Sequence, residues 1–143
     1  MKKTVALFGA SGTMGLAAFK ELWKRRDQYS IVLLVRPSDK NKRLFQPYEK
    51  LAGAASIAGA GVSEGAGFKI VWGDATRYED VEQAIRGADW VLDAMAYISP
   101  EADYYPEKAK AVNTDGIVNI VRAIEAQPGG AEHIRLIYTG TVA

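Results

Sequence analysis

Cysteine is absent from the 143-residue chain, and histidine occurs once, at His133. The first absence removes disulfides, thiolate nucleophiles and cysteine-ligated metals together, and suits the cytoplasm. The second excludes a multi-histidine metal centre. No metal site is therefore expected. Neither sign of charge is in excess: 18 basic and 17 acidic side chains leave a net +1. Such a balance gives no electrostatic footprint for nucleic acid or for an anionic membrane. No apolar run reaches the ~18–20 residues of a membrane span without glycine or flanking charge. The length fits one domain with a single core.

What is present begins with MKKTVALFGASGTMGLAAFK. Two lysines precede an uncharged run from Thr4 to Phe19. Lysines before an apolar run also open secretory signals. This run is broken by Gly9, Ser11, Gly12, Thr13 and Gly15, and no A-x-A-like cleavage site follows. The alternative reading is a strand, Thr4–Phe8, then a glycine turn, then a helix with Leu16, Phe19 and Trp23 inward.

Further short apolar runs at Ser30–Val35, Phe68–Trp72, Trp90–Ala94 and His133–Thr139 predict four more strands. Helical spacing predicts helices over Lys40–Leu51, Tyr78–Arg86 and Glu107–Ala126. Segment 51–67 holds Gly or Ala at 11 of 17 positions. It is expected to be a helix tail to Ile57 followed by a mobile, exposed loop. No strand precedes its glycines, so it is not a phosphate loop. The βαβαβαβαβ alternation predicts a doubly wound parallel α/β sheet of five strands, order 3-2-1-4-5, with helices on both faces.

In such a sheet the ligand sits at the carboxyl ends of the strands, beside the switch point. Gly9, Ser11, Gly12, Thr13, Met14 and Gly15 occupy the turn there. The G-x-x-G-x-x-G spacing lets the backbone approach a diphosphate and points the next helix's N–H groups at it. A tight βα turn without a ligand is the alternative. At the end of the second strand stands Arg36, where an acid would select NAD through the ribose 2′-hydroxyl. A guanidinium suits a 2′-phosphate, so NADP is expected ahead of NAD. Asp39 is the complication, because a small shift in register would bring its carboxylate to the ribose. Lys42 and Arg43 read as a solvated helix face.

These residues together resemble the extended short-chain dehydrogenase/reductase superfamily, specifically the NAD(P)-dependent epimerase/dehydratase family. The markers are the glycine triplet, Gly73-Asp74, GADWVLDAMA at 87–96, Val112-Asn113-x-x-Gly116 and YTGT at 138–141. The resemblance spans nearly the whole chain, and implies a Rossmann dinucleotide-binding domain over 1–143. It implies that Asp74, with Ala75 beside it, meets the adenine amino group. Ala94, Met95 and Ala96 would lie along the central ribose, and Asn113 would hold the backbone near the active site. Thr141 would be the catalytic hydroxyl. Asp93 departs from the pattern, where His or Asn is common.

The family's Tyr-x-x-x-Lys helix follows the fifth strand; here the sequence stops at Ala143. The one such spacing present, Tyr104 to Lys108, precedes the fourth helix and contains Pro106, so it is not read as the catalytic pair. The expected function is therefore the cofactor half of an epimerase, dehydratase or reductase, inactive alone, that would work by hydride transfer on an alcohol or ketone. A non-catalytic NADP-binding redox sensor is the alternative. Two copies would pair through the fourth and fifth helices, of which the sequence holds the fourth. An exposed apolar face is expected beside the fifth strand.

Overall fold

A computed structural model describes residues 2–57, 61–95 and 114–138. In chain order the elements are β1 (Lys3–Phe8), α1 (Thr13–Lys24), β2 (Tyr29–Val35), α2 (Asp39–Ala52), β3 (Ala55–Ile57), β4 (Val62–Gly65), β5 (Phe68–Trp72), α3 (Tyr78–Ile85), β6 (Trp90–Asp93), α4 (Gly116–Ala126), the single turn α5 (Gly130–His133) and β7 (Arg135–Tyr138).

The strands form one seven-stranded sheet, order β3-β4-β5-β2-β1-β6-β7. The run β5-β2-β1-β6-β7 is parallel throughout. These five are the strands expected from sequence, in the expected order. β1 lies at the centre, with Phe8 opposite Leu34 on one side and Asp93 on the other.

Side-chain alternation divides the core into two layers. Ala6, Phe8, Val32, Leu34, Val71 and Val91 face α3 and α4, meeting Val81, Ile85, Ile120 and Ile124. Leu7, Ile31, Leu33, Val35 and Ile70 face α1 and α2, meeting Phe19 and Phe45. Phe19 is wholly buried, and its ring lies 4.8 Å from Tyr48 and 5.4 Å from Phe45, both edge-on. Edge-on pairs suit the ring quadrupoles and fix how α1 sits against α2.

Three expectations are corrected. The sheet has seven strands rather than five, because 55–57 and 62–65, within the expected loop, are strands: β3 pairs antiparallel with β4, and β4 with β5. The helix tail to Ile57 is also absent. α2 stops at Ala52 because Gly53 adopts φ +67° and returns its N–H to the Glu49 and Lys50 carbonyls. The glycines that suggested mobility include one that packs. A Cβ at Gly65 would lie 2.5 Å from the Ala52 carbonyl oxygen, so hairpin and helix end touch backbone to backbone. Finally, His133 belongs to α5, not to the last strand, which starts at Arg135.

Asp89 ties the strand starts together. Its carboxylate accepts the Thr4 N–H at 2.9 Å and pairs with His133 at 3.2 Å, and its carbonyl accepts the Arg135 N–H at 3.1 Å. This end of the sheet holds structure, and the opposite end is free for chemistry.

β7 borders a largely apolar groove of about 330 Å³, lined by Val5, Ala18, Leu22, Trp90, Leu92 and Ile137 together with Glu21, Arg25 and Tyr29. Ile137 is 42% exposed and Tyr138 56%. The 143-residue chain is therefore expected to self-associate as its concentration rises. Light scattering checks this: a mass that grows with concentration is expected, and a clean monomer at high concentration counts against it.

Candidate cofactor site

A cleft of about 510 Å³ opens where β1, β2, β5 and β6 end, and its lining includes Gly9, Ser11, Gly12, Arg36, Ser38, Lys40, Asn41, Asp74, Ala75, Thr76, Ala94 and Met95. The chain leaves β1 through a turn that only glycine permits. Gly9 has φ +87°, and a Cβ there would lie 2.7 Å from the Ala94 carbonyl carbon. A Cβ at Gly15 would overlap the Gly9 carbonyl oxygen, so the first turn of α1 sits directly on the strand end.

Gly12 differs from both. Its φ of −84° is open to any residue, and the nearest atom to an added Cβ is the Gly9 oxygen at 3.5 Å, an ordinary contact. Packing among the described residues does not require a glycine there. Gly12 is nevertheless the N-cap of α1, so it offers no side-chain oxygen to the first N–H groups, and no acid stands in the first turn. Those groups lack intrahelical partners and carry the positive end of the helix dipole. Ser11, Gly12, Thr13 and Met14 are all exposed around them. An anion can approach this backbone closely because position 12 has no side chain.

Beyond the turn, Arg36 directly follows β2 and Ser38 caps α2, its Oγ accepting the Asn41 N–H at 3.1 Å. Lys40 lines the cleft with them, whereas Asp39 does not. Lys42 and Arg43 line a separate groove of about 560 Å³ beside α2, β3 and the end of β5, with Pro37, Gln46, Glu49, Ser56, Gly61 and Trp72. Neither the glycine turn after β1 nor the start of α1 opens into that groove, so its size does not make it the cofactor site.

Asp74 lies across from Arg36. Its Oδ1 accepts both the Thr76 N–H at 2.8 Å and the Thr76 hydroxyl at 2.9 Å. Burial pushes this carboxyl up. The two Thr76 bonds and the charges of Arg36 and Arg77 outweigh that and hold it below its ordinary value. The Asp74 N–H in turn donates to Asp80 Oδ2 at 2.9 Å. A Cβ at Gly73 would lie 2.5 Å from that same carboxylate oxygen, so Gly73 makes room for the strut.

The floor of the cleft is formed by β6 and by Ala94 and Met95 at its end. Asp93 is buried, and burial pushes its carboxyl up, although it accepts the Met95 N–H at 3.0 Å. Buried Asn119 on α4 donates to the Ala75 carbonyl at 2.9 Å. Gly116 brings α4 close to Met95: an added Cβ would lie 3.1 Å from the Met95 Cε.

The structure thus brings together Gly9, Ser11, Gly12, Arg36, Asp74, Ala75, Ala94 and Met95 around one cleft. Thr13, Met14 and Gly15 form the first turn of α1 beside it. Ala96, Asn113 and Thr141 lie outside the described residues, as does the Tyr104–Lys108 spacing. Sequence reasoning did not find Asn41, Thr76, Asp80 or Asn119. Thr76 had a local signal, since Asp-x-Thr invites a turn closed by the Asp side chain. Asn119 had none, because its partner is 44 residues away.

No family model and no curated protein matches the sequence. Solved structures do match its fold. Pen from Bacillus thuringiensis aligns with TM-score 0.72 at 19% identity, covering 96% of this chain and 37% of that one. A uronate dehydrogenase mutant from Agrobacterium tumefaciens, complexed with NAD, aligns with TM-score 0.63 at 16% identity, covering 99% and 42%. Vestitone reductase from alfalfa (Medicago sativa) aligns with TM-score 0.60 at 19% identity, covering 96% and 36%. A short-chain dehydrogenase/reductase superfamily protein with bound NAD is also similar. The fold is therefore the Rossmann-type fold of short-chain dehydrogenases and reductases, as the sequence motifs suggested. The chain spans 37% and 42% of the length of the first two structures it matches. Among the described residues no helix is long and apolar enough to cross a membrane.

Proposed function

We propose that this chain binds NADP in the cleft at the end of β1, as the cofactor part of an oxidoreductase or an epimerase/dehydratase. The observation that carries the reading is Gly12: its missing side chain is not required by packing among the described residues, yet it leaves the α1 amides open to a diphosphate. Gly9, Ser11, Gly12, Thr13, Met14 and Gly15 cradle that group. Asp74 accepts from the adenine amino group, with Ala75 beside it. Ala94, Met95 and Ala96 leave room for the central ribose, and Asn113 supports the backbone there.

Arg36 and Lys40 favour the 2′-phosphate over a bare hydroxyl. Asp74 is the one acid among the described residues that line the cleft, and Asp39 is not among them. Without an acid at the end of β2, the 2′-hydroxyl of NAD lacks its usual acceptor, while a dianionic phosphate meets two cations. Bound NADP would supply a hydride acceptor or donor. Thr141 would then orient the substrate oxygen.

Fluorescence titration of the folded chain tests this. NADPH is expected to bind at least about tenfold tighter than NADH, the equivalent of one good charged contact. Equal affinity would remove the NADP reading, and no saturable binding of either would remove the cofactor reading.

A further inference from the structure

The basic side chains at the end of β2 stand on a braced segment rather than a free loop. The Arg36 carbonyl accepts twice, from the Ser38 N–H at 2.9 Å and from Asn41 Nδ2 at 3.0 Å. Asn41 also donates its own N–H to Ser38 Oγ at 3.1 Å. Pro37, between them, has its φ fixed by its ring. The Asn41 side chain thus reaches back five residues to hold the segment from the helix side. It is buried, at 9% exposure, unusual for an asparagine in the first turn of a helix.

Resting on the cofactor reading proposed for this cleft, we infer that Asn41 is a positioning residue for 2′-phosphate selection. It acts through Arg36, by fixing the backbone that presents the guanidinium to the cleft. Two facts separate this from plain helix capping. Ser38 already supplies the cap, so the Asn41 side chain is not needed to start α2. Its bond goes to the carbonyl of Arg36, a cleft-lining residue whose charge acts on Asp74. A guanidinium on an unbraced loop would lose conformational freedom on meeting phosphate; on a braced one much of that loss has already occurred. Removing the Nδ2 donor frees the far end of the segment and leaves the Arg36 carbonyl with the Ser38 N–H alone.

The test uses 2′,5′-ADP and 5′-AMP, which differ by the 2′-phosphate, in calorimetric titrations of the 143-residue chain. Asn41→Ala is expected to weaken 2′,5′-ADP about tenfold and leave 5′-AMP within about twofold. In an Arg36→Ala background the same change is expected to cost nothing further, because the two residues act as one unit. Asn41→Leu keeps the volume without donor or charge, and is expected to behave as Asn41→Ala does; it serves if the alanine variant does not fold. Equal losses for both nucleotides would make Asn41 merely structural and overturn the inference. Fully additive losses would mean it acts independently of Arg36, which also overturns it. So would an unchanged 2′,5′-ADP affinity. If the wild-type chain binds neither nucleotide, the cofactor reading itself falls and takes the inference with it, an outcome distinct from the other three.

Discussion

Gly12→Ala is expected to leave the protein folded and to weaken NADPH binding by about 100-fold, whereas Gly15→Ala is expected to unfold it. The two glycines are three residues apart in one turn, and their backbones are equally ordinary to sequence inspection. Their surroundings are not. A Cβ at position 12 meets the Gly9 oxygen at 3.5 Å and nothing closer among the described residues, so the fold they form accepts it. At position 15 a Cβ would overlap the Gly9 carbonyl, which accepts the Gly12 N–H at 3.0 Å directly after the central strand β1. Relieving that overlap requires lifting α1 from the strand end and separating Phe19 from the aromatic cluster it fills. The expected cost is comparable to the whole ~5–15 kcal/mol that holds a domain together. Urea unfolding and cofactor titration on both variants check the pair. Gly12→Ala is expected to keep the wild-type midpoint, while Gly15→Ala loses its cooperative transition. If Gly12→Ala binds NADPH normally, the open helix start is not where the diphosphate goes.

Arg36→Ala is expected to reduce NADPH affinity by about 10–100-fold and change NADH affinity little, erasing the preference. The guanidinium is exposed at the end of a fully buried strand stretch, Ile31–Val35, so its removal costs the core nothing. What it removes is one of the two cleft cations that a 2′-phosphate would meet, the other being Lys40. A second effect is independent of any ligand. Arg36 is one of the charges that hold the Asp74 carboxyl below its ordinary value, so the Asp74 pKa is expected to rise in the variant. Carbon-detected NMR titration of the Asp74 carboxyl reads that directly. A fall, or no change, would mean that Arg36 does not face the cleft.

How much of this was legible beforehand depends on the range of the interactions. β1, its glycine turn and α1 are contiguous, and each residue's role there is set by neighbours within a few positions. TVALF is apolar on both faces because the strand is covered on both, and the turn must be glycine where Gly9 meets Ala94. The parallel strands were legible for the same reason, as runs such as SIVLL are apolar at successive positions on both faces. The β3–β4 hairpin was not. Its strands have three and four residues, β3 is exposed throughout, and only Val62 and Ser63 are buried in β4. Too few positions carry a period-two signal, and glycine, which usually marks freedom, here marks close packing at Gly65. The supports of the cleft were hidden differently. Asp80 holds the Asp74 backbone and Asn119 holds Ala75, but each looks from sequence like any polar residue on an amphipathic helix. Only the packing of α3 and α4 against the sheet shows which polar side chains turn inward.

The most direct test of the central claim is to map where the cofactor sits. Amide shifts of the isotope-labelled chain are followed by two-dimensional NMR as NADPH is added. Gly12, Thr13, Gly15, Arg36, Asp74 and Thr76 are expected to move together and saturate, while Asp89 and Arg135 at the opposite end of the sheet stay still. Saturating shifts confined to Lys42, Arg43 and Ser56 in the groove beside α2, or no shifts at millimolar NADPH, would contradict it.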